Sequence, residues 1–272
     1  MNTAKLWSGT RIVAVIAVLF LALPVIALLL RLQWSDLGTV LRSPATLTAA
    51  GISLASSLLA ALCCVVLGTS LALWLATLSG ARATLVRLCV VIPLVMPPVV
   101  GGVALMAVFA SNGLLGAPLS FLGVSLPKTF AAVILAQIFV ALPFMVITVE
   151  AALRSGHRDF ARIGYDLGAS PRVVFWRITL PLLRPALIAG ALLCMARALG
   201  EYGATTLFAG SVEGTTQTLT QVVMSNFQGT ISESGVGYAL AGLLLLIAMV
   251  VVFLAGLWRE PSAQRSGVPR GI

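Results

Sequence analysis

The sequence predicts an all-α polytopic membrane protein with six transmembrane helices. Of its 272 residues, 60% are hydrophobic and only 9% are charged, and the mean hydropathy is +1.08. Soluble domains carry about 25% charged residues. The apolar residues fall in uncharged runs of about 20 residues, the length that an α-helix needs to cross the hydrocarbon of a bilayer. A bundle of membrane helices is therefore expected instead of a soluble core.

The charge distribution argues against nucleic-acid binding. The formal net charge is +9, but the basic residues lie in short loops between apolar runs, which is the pattern of membrane topology. The sequence has no basic face interleaved with aromatic residues. We therefore expect the lipid bilayer, and not a nucleic acid, to be the surrounding partner.

Metal sites and enzyme activity are not expected either. The single histidine, His157, is too little for a usual zinc site and is interpreted as a solvated loop residue. The spans carry no carboxylate dyad and no nucleophile beside a base, so no catalytic residue and no bound cofactor are assigned. The cysteines lie in apolar segments without metal-ligand spacing and are interpreted as packing residues. They are Cys63, Cys64, Cys89 and Cys194.

The first predicted span, 12–30, follows an N-terminal segment, 1–11, that carries Lys5 and Arg11. A secretory signal is the alternative interpretation. The apolar stretch is longer than a usual signal core and no clear small-x-small cleavage site follows it, which favours an uncleaved helix. Pro24 is expected to kink this helix.

The second and third predicted spans differ in regularity. The second, 47–78, has no charged residue, and its glycines and serines suit close helix contacts. The third, 85–109, contains prolines and glycines that free backbone groups, and such groups need partners in lipid. Two interpretations stay open for it, a packing kink or a bent helix that lines a pore. The residues concerned are Pro93, Pro97, Pro98, Gly101 and Gly102.

A loop rich in glycine, proline and serine, 110–129, leads to the fourth predicted span, 130–149, which contains Pro143. The next stretch, 150–185, is unusually polar. It holds six arginines, three acidic residues and the histidine, whereas the runs on either side are almost uncharged.

The fifth and sixth predicted spans are 186–208 and 238–257, and a tail, 258–272, follows. The segment between these spans contains Glu213 and Glu233 but no lysine or arginine. With six spans, both termini lie on one side of the membrane.

The basic residues predict which side that is. The loops on the side of the termini hold thirteen lysines and arginines, whereas the loops on the other side hold only Arg31, Arg42 and Lys128. Cytoplasmic loops are enriched in basic residues. Both termini and the 150–185 loop of this cell-membrane protein are therefore expected in the cytoplasm.

The polar loop has an internal pattern of its own. Between residues 158 and 167, Phe160, Ile163 and Leu167 fall on one face of a short helix. Gly168 can stop that helix in a left-handed conformation. Ser170 as N-cap and Pro171 as the first residue begin a second helix, which has Val174, Phe175 and Ile178 on its apolar side and is expected to end at Leu180-Pro181.

These residues resemble a known family. Nine residues separate Gly168 from Ile178, and one residue separates Ile178 from Leu180-Pro181. This spacing resembles the cytoplasmic signature loop of binding-protein-dependent ABC importer permeases. Six spans with this loop between the fourth and the fifth match the type I layout of that family. The stretches LGASPRVVFWRITLPLLRPALIAG, ALGEYGATTLFAG and GTTQTL most resemble its molybdate branch and the sulfate and thiosulfate relatives.

One position departs from the family pattern. Members usually place Glu-Ala-Ala six residues before the glycine, where this sequence has Arg162, Ile163 and Gly164. The triplet that begins at Glu150 lies eighteen residues before Gly168 and is not that motif in its usual place. Because Arg162 reverses the charge of the family's glutamate, we expect an altered partner surface, or one that relies more on apolar contacts.

The resemblance implies a division of labour between subunits. The sequence has no Gly-x4-Gly-Lys-Ser/Thr phosphate loop, so ATP and Mg²⁺ are expected on separate ATPase subunits. The implied assembly contains a dimer of identical or closely similar permease chains, two cytoplasmic ATPases and an external solute-binding protein. The loop would be the coupling helix that fits a groove on the ATPase, with the candidate residues Arg162, Asp166, Gly168, Ala169, Ser170, Ile178, Leu180 and Pro181.

A second candidate site lies in the fifth span. Arg197 and Glu201 are four residues apart and so fall on one helix face. Each charge costs about 2.5–3.5 kcal/mol at the centre of a membrane helix, so the two are expected to face the bundle interior and to pair. A structural ion pair is one interpretation. In the other, Arg197 offers positive potential to a passing oxyanion, Glu201 holds it or gates the path, and polar residues line the outer mouth, namely Thr205, Thr206, Thr216, Gln217 and Thr218.

The expected function is that of the permease subunit of an ATP-driven importer for a tetrahedral oxyanion. Molybdate comes first, with tungstate, sulfate and thiosulfate as alternatives. A secondary transporter driven by an ion gradient would explain the charge pair but not the signature from Gly168 to Pro181.

Overall fold

The computed structural model describes residues 8–32, 34–154, 158–228 and 235–257. Every regular element within those ranges is helical. Three parts of the sequence interpretation, the 1–7 segment, His157 and the 258–272 tail, lie outside the described residues.

The helices follow one another without any other regular element in the described ranges. In chain order they are α1 Ser8–Arg31, α2 Trp34–Arg42, α3 Pro44–Thr77, α4 Gly80–Val95, α5 Pro98–Phe109, α6 Gly116–Phe121, α7 Phe130–Ala152, α8 Arg158–Asp166, α9 Pro171–Val174, a π-helical turn Phe175–Thr179, α10 Leu180–Leu199, α11 Gly203–Phe208, α12 Leu219–Gln228 and α13 Gly235–Leu257.

The predicted all-α polytopic class is confirmed. Five helical stretches are long and apolar enough to cross a membrane, and the bent pair α4 and α5 makes a sixth if it counts as one broken span. The five are Gly9–Arg31, Pro44–Thr77, Phe130–Ala152, Pro171–Leu199 and Gly235–Phe253.

The core of the bundle is formed by α3, α7 and α10, which meet around Met145. A Cβ atom built on Gly68 of α3 would lie 2.6 Å from Met145 Cγ, and one built on Gly190 of α10 would lie 2.7 Å from its Sδ. Glycine at these two positions therefore lets both helices approach α7 closely. Cys64 and Cys194 are buried in the same cluster, as expected of packing residues, whereas Cys89 is exposed.

The direction of these three helices sets the two ends of the molecule. On α3 and α7, Cys64 approaches Ile138 and Gly68 approaches Met145, so the helices run parallel. On α10 the order is reversed, since Ala198 pairs with Gln137 and Gly190 with Met145. The α8–α9 segment thus lies at the end of the bundle where α7 finishes, and α2 and α12 lie at the opposite end.

The third predicted span is not one helix. The axes of α4 and α5 are bent by 117° at the break between Val95 and Pro98. Met96 precedes a proline, and a proline disfavours the helical conformation of the residue before it, so Met96 has ψ 131° and Pro97 has ψ 136°. This bend is much sharper than a packing kink within a continuous helix.

The predicted fifth span, 186–208, is wrong at both ends. α10 begins at Leu180 and ends at Leu199, and a separate six-residue helix, α11, begins at Gly203. Short helices also occur where only loops were expected, namely α2, α6 and α12.

Candidate functional site

The turn between α8 and α9 is built on Gly168. This residue has φ +82°, a left-handed conformation that suits glycine. The Gly168 N–H donates to Tyr165 O at 2.9 Å, and the Ala169 N–H donates to Gly164 O at 3.0 Å. This pair of bonds closes a Schellman motif, so the predicted role of Gly168 as the stop of the first helix is confirmed.

The two arms of this turn form a hairpin that packs through Gly164. A Cβ atom there would lie 2.8 Å from Ile178 Cδ1 and 3.2 Å from Val174 Cγ2. Val174 is fully buried. The signature isoleucine therefore rests on a glycine of α8, at one of the positions where this sequence departs from the Glu-Ala-Ala pattern.

The start of the second arm agrees with the sequence interpretation in part. Ser170 occupies the N-cap position and Pro171 the first helical position. The Ser170 side chain makes no capping hydrogen bond; its carbonyl oxygen accepts the Val174 N–H at 3.0 Å.

The second arm does not end at Leu180-Pro181, and that prediction is wrong. The π-helical turn Phe175–Thr179 leads directly into α10, and the Leu180 N–H donates to Phe175 O. A π turn holds one more residue than an α turn, and this wider turn precedes Pro181, which has no N–H to donate. As a result, one helical body extends from Pro171 to Leu199.

The hairpin leaves apolar side chains on its surface. Leu167 is 83% exposed, Phe160 57% and Ile163 53%, so the apolar face of α8 is not used for packing within the described chain. Of the predicted coupling residues, Arg162, Asp166, Gly168 and Ser170 are exposed, while Ala169, Ile178, Leu180 and Pro181 are half-buried.

A charge cluster joins this end of the bundle to α4. Glu150 Oε1 accepts hydrogen bonds from Arg87 Nε at 3.0 Å and Nη2 at 2.8 Å, and from Arg154 Nη2 at 2.7 Å. The three side chains tie the last turn of α7 to α4. Sequence reasoning missed this cluster because Arg87 and Glu150 are 63 residues apart.

The second candidate site is the break between α10 and α11. Arg197 Nη1 lies 2.8 Å from Glu201 Oε2, and the side chain of Glu201 is 1% exposed against 29% for Arg197. Glu201 Oε1 also accepts the Ala204 N–H at 2.9 Å. The predicted ion pair is present, but its two residues do not share one helix, because α10 ends at Leu199 and Glu201 lies in the break before α11.

Two side chains satisfy the backbone at this break. Gln137 Nε2 donates to Ala198 O at 3.2 Å, and Thr220 Oγ1 donates to Leu199 O at 2.8 Å. The last carbonyl groups of a helix have no partner within it, and in lipid each needs one. Sequence reasoning missed both residues, although Gln137 is conspicuous as an amide in an apolar run.

Arg197 faces a small cavity at the bend between α4 and α5. The cavity has a volume of about 90 Å³, and its other walls include Pro93, Pro98, Gly101 and Phe139. The guanidinium group is thus the charged group on a mostly apolar cavity that adjoins both helix breaks.

The helices that follow the two breaks, α5 and α11, pack tightly against each other. A Cβ atom on Gly203 of α11 would lie 2.9 Å from Pro98 Cβ and 3.1 Å from Val99 N. One on Gly102 of α5 would lie 2.8 Å from Leu207 Cβ. α5 and α11 therefore form one closely packed unit behind the Arg197 cavity.

The polar residues expected at the outer mouth are mostly buried inside the chain. Thr205, Thr216 and Thr218 are buried. Thr216 Oγ1 accepts the Val212 N–H, and the Thr218 N–H donates to Gln221 Oε1. In this conformation only Thr206 and Gln217 remain partly exposed, so three of the five side chains lie within the fold and do not line a mouth.

A family model matches most of the chain. Residues 64–261 match the description "binding-protein-dependent transport system inner membrane component". Most of the helical core lies within this match, including the α8–α9 hairpin and the break after Leu199.

Curated relatives match over most of their own length. The molybdenum transport system permease protein ModB of Mycobacterium tuberculosis is 39% identical over 243 residues, which cover 89% of this chain and 91% of the relative. A probable sulfate transport system permease protein, cysT, of Marchantia polymorpha is 35% identical over 195 residues, or 71% of this chain and 68% of the relative.

A solved structure has the same fold. It is a bacterial alginate ABC transporter in complex with an alginate pentasaccharide-bound periplasmic protein. The TM-score is 0.71, and 93% of both chains is covered at 19% sequence identity. At that identity the similarity establishes the fold alone.

Proposed function

Because the chain belongs to the family of binding-protein-dependent transport system inner membrane components, we propose that it imports a tetrahedral oxyanion, molybdate, as the permease subunit of an ATP-driven transporter. The observation that carries this proposal is the 39% identity to a molybdenum permease over 89% of the chain. Sulfate is the second candidate, supported by the 35% identity to a probable sulfate permease.

The Arg197 site supports passage of an anion. Arg197 is the charged residue of the cavity at the two helix breaks, and a guanidinium binds oxyanions through paired N–H donors. Glu201 lies 2.8 Å away and cancels most of this charge. A pathway needs this balance, because an uncompensated arginine in a cavity of low polarity would hold the anion too firmly to release it.

Coupling to ATP is assigned to the α8–α9 hairpin. Its exposed apolar residues, Phe160, Ile163 and Leu167, would contact the groove of an ATPase subunit and replace the contact that the family makes through its glutamate. The distribution of basic residues supports an orientation with the hairpin and both termini in the cytoplasm.

The continuous helix from Pro171 to Leu199 gives the hairpin a direct link to the Arg197 site. Movement of the hairpin when an ATPase dimer closes would rotate this helix as a rigid body. The assembly would contain a second copy of this chain or a close paralogue, two ATPase subunits and an external solute-binding protein.

Reconstitution tests the proposal. The chain is placed in vesicles with its ATPase and solute-binding protein, and uptake of molybdate, tungstate, sulfate and thiosulfate is measured with and without ATP. We expect ATP-dependent molybdate uptake that exceeds sulfate uptake. Preferred sulfate uptake would overturn the substrate assignment, and uptake that needs an ion gradient but no ATP would overturn the mechanism.

A further inference from the structure

Two cavities meet at the bend between α4 and α5. The smaller is the cavity of about 90 Å³ that Arg197 faces, and the larger has a volume of about 280 Å³. Pro93 of α4 and Phe139 of α7 line both of them. These two side chains therefore form the partition between the cavities.

The larger cavity lies on the hairpin side of the smaller one. Its walls on α4 extend from Val86 to Pro93, whereas those of the smaller cavity extend from Pro93 to Met96. α4 begins at Gly80, at the hairpin end of the bundle, because α3 before it runs parallel to α7. If the partition opened, the Arg197 cavity would be joined to the space that leads towards the hairpin.

The larger cavity is wide and apolar enough to receive an aromatic ring. Besides Phe139 itself, its walls are aliphatic side chains, prolines and Cys89. An apolar cavity of about 150 Å³ stays dry and accommodates benzene, and this cavity is larger. A phenyl ring that leaves the partition therefore has room beside it.

α5 holds the Phe139 ring in the partition. A Cβ atom on Gly101 would lie 3.3 Å from Phe139 Cε1 and 3.7 Å from its Cδ1, so the ring rests on the bare backbone of α5. Gly101 lies in the first turn after the 117° bend. A shift of α5 relative to α7 would thus remove the surface that supports the ring.

We propose that Phe139 is the gate residue on the inner side of the Arg197 cavity. With its ring in the partition, an anion beside Arg197 is closed off from the hairpin side, because an apolar constriction blocks ions by excluding water. When α5 moves away, the ring turns into the larger cavity and the two cavities join. The gate acts on the proposed anion path and so presupposes that function.

An ion leak through the complete transporter tests the gate. The permease, its ATPase and its solute-binding protein are placed in vesicles that contain an iodide-quenched dye. Iodide entry is measured without ATP, and with ATP plus orthovanadate, which arrests the ATPase subunits in their closed form. We expect the wild type to be tight in both conditions and Phe139→Ala to admit iodide roughly tenfold faster in at least one, because the apolar constriction is lost.

Two further variants make the leak specific to the gate. Phe144 is also a half-buried phenylalanine of α7 but lines neither cavity, so Phe144→Ala should remain as tight as the wild type. Phe139→Leu keeps a large apolar side chain without the ring. It should leak less than Phe139→Ala and more than the wild type, and it gives the readout if alanine prevents assembly.

Filling the larger cavity tests where the ring goes. Cys89→Phe adds a ring to the wall of that cavity, whereas Leu88→Phe adds one at a neighbouring exposed position that does not line it. We expect Cys89→Phe to lower ATP-driven oxyanion uptake several-fold while the vesicles stay tight to iodide and the melting temperature is unchanged. Leu88→Phe should keep wild-type uptake.

Three results would overturn the proposal. Vesicles that stay tight with both Phe139 variants would remove the gate, and equal leaks in Phe139→Ala and Phe144→Ala would indicate a loosened bundle instead. Unchanged uptake in Cys89→Phe would rule out the movement of the ring into the larger cavity. The iodide leak does not depend on which oxyanion the wild type carries, so absence of molybdate uptake would contradict the proposed function and leave the test of the gate valid.

Discussion

The two charges at the break between α10 and α11 differ in burial, and this difference predicts unequal effects of neutralising them. Glu201 is 1% exposed and Arg197 is 29% exposed. Breaking a fully buried ion pair costs about 3–5 kcal/mol because the remaining charge is left uncompensated. We therefore expect Arg197→Gln, which strands the more buried charge, to lower the thermal stability of the purified complex more than Glu201→Gln does.

The double variant separates structure from transport. Arg197→Gln combined with Glu201→Gln leaves no stranded charge, and a glutamine at 201 can still accept the Ala204 N–H, so thermal stability should recover. Uptake of oxyanion should remain lost if Arg197 supplies the positive potential of the path. Recovery of both stability and uptake would assign the pair a structural role only.

The conformational role of Gly168 can be tested by comparison with Gly80, a glycine that is also left-handed and unobstructed. Gly168 has φ +82° and Gly80 has φ +62°, and a Cβ atom on either meets nothing within 4 Å. Alanine at each should thus cost a similar amount, about 1–2 kcal/mol of backbone strain. We expect Gly168→Ala to reduce substrate-stimulated ATPase activity and Gly80→Ala to leave it near the wild-type value. Equal loss in both variants would contradict a specific role for the hairpin turn.

At the scale of elements, the contact between α5 and α11 should tolerate no added atoms. The Cβ of Gly203→Ala would meet Val99 N at 3.1 Å and Pro98 Cβ at 2.9 Å, and neither backbone nor proline ring can rotate away. Overpacking of this kind costs about 1–3 kcal/mol. Gly200→Ala, three residues earlier, would place its Cβ no closer than 3.8 Å to its neighbours. We expect a lower melting temperature and slower uptake for Gly203→Ala, and almost no change for Gly200→Ala; equal behaviour would show that the α5–α11 contact yields easily.

The elements that follow from local chemistry could be predicted from the sequence. Uncharged runs give the membrane helices, and Gly168 with Ser170-Pro171 gives the hairpin turn. The break after Leu199 could not be predicted, because no proline marks it. It is stabilised by Gln137 and Thr220, which reach Ala198 O and Leu199 O from other helices.

The continuity of Pro171–Leu199 was missed for a related reason. A residue followed by proline, such as Leu180-Pro181, usually marks a helix boundary. Here the π turn at Phe175–Thr179 supplies the extra residue that lets the chain continue. Local rules describe the proline correctly but say nothing about a compensating turn before it.

At the scale of the whole molecule, two connections leave the α8–α9 hairpin. One is the helix that runs to Leu199 and the Arg197 cavity. The other is the chain itself, which joins the hairpin to the end of α7, where Glu150 pairs with Arg154 and with Arg87 of α4. α4 in turn leads to the bend that forms the opposite wall of the same cavity. A movement of the hairpin would thus act on both walls of the Arg197 cavity at once.

The Glu150 cluster therefore predicts a variant whose coupling suffers more than its stability. Arg87→Gln removes the bond to α4 while Arg154 still pairs with Glu150. Because Arg87 is 39% exposed, the loss of stability should be about 1 kcal/mol or less. Substrate-stimulated ATPase activity and uptake should fall several-fold, while basal hydrolysis persists. Arg82→Gln, on an exposed position of the same helix, is the matched control and should retain coupling.

High salt screens partly exposed ion pairs, so it should lower the coupling of the wild type towards that of Arg87→Gln and change the variant little. A variant that keeps full coupling at low salt would show that α10 alone carries the movement.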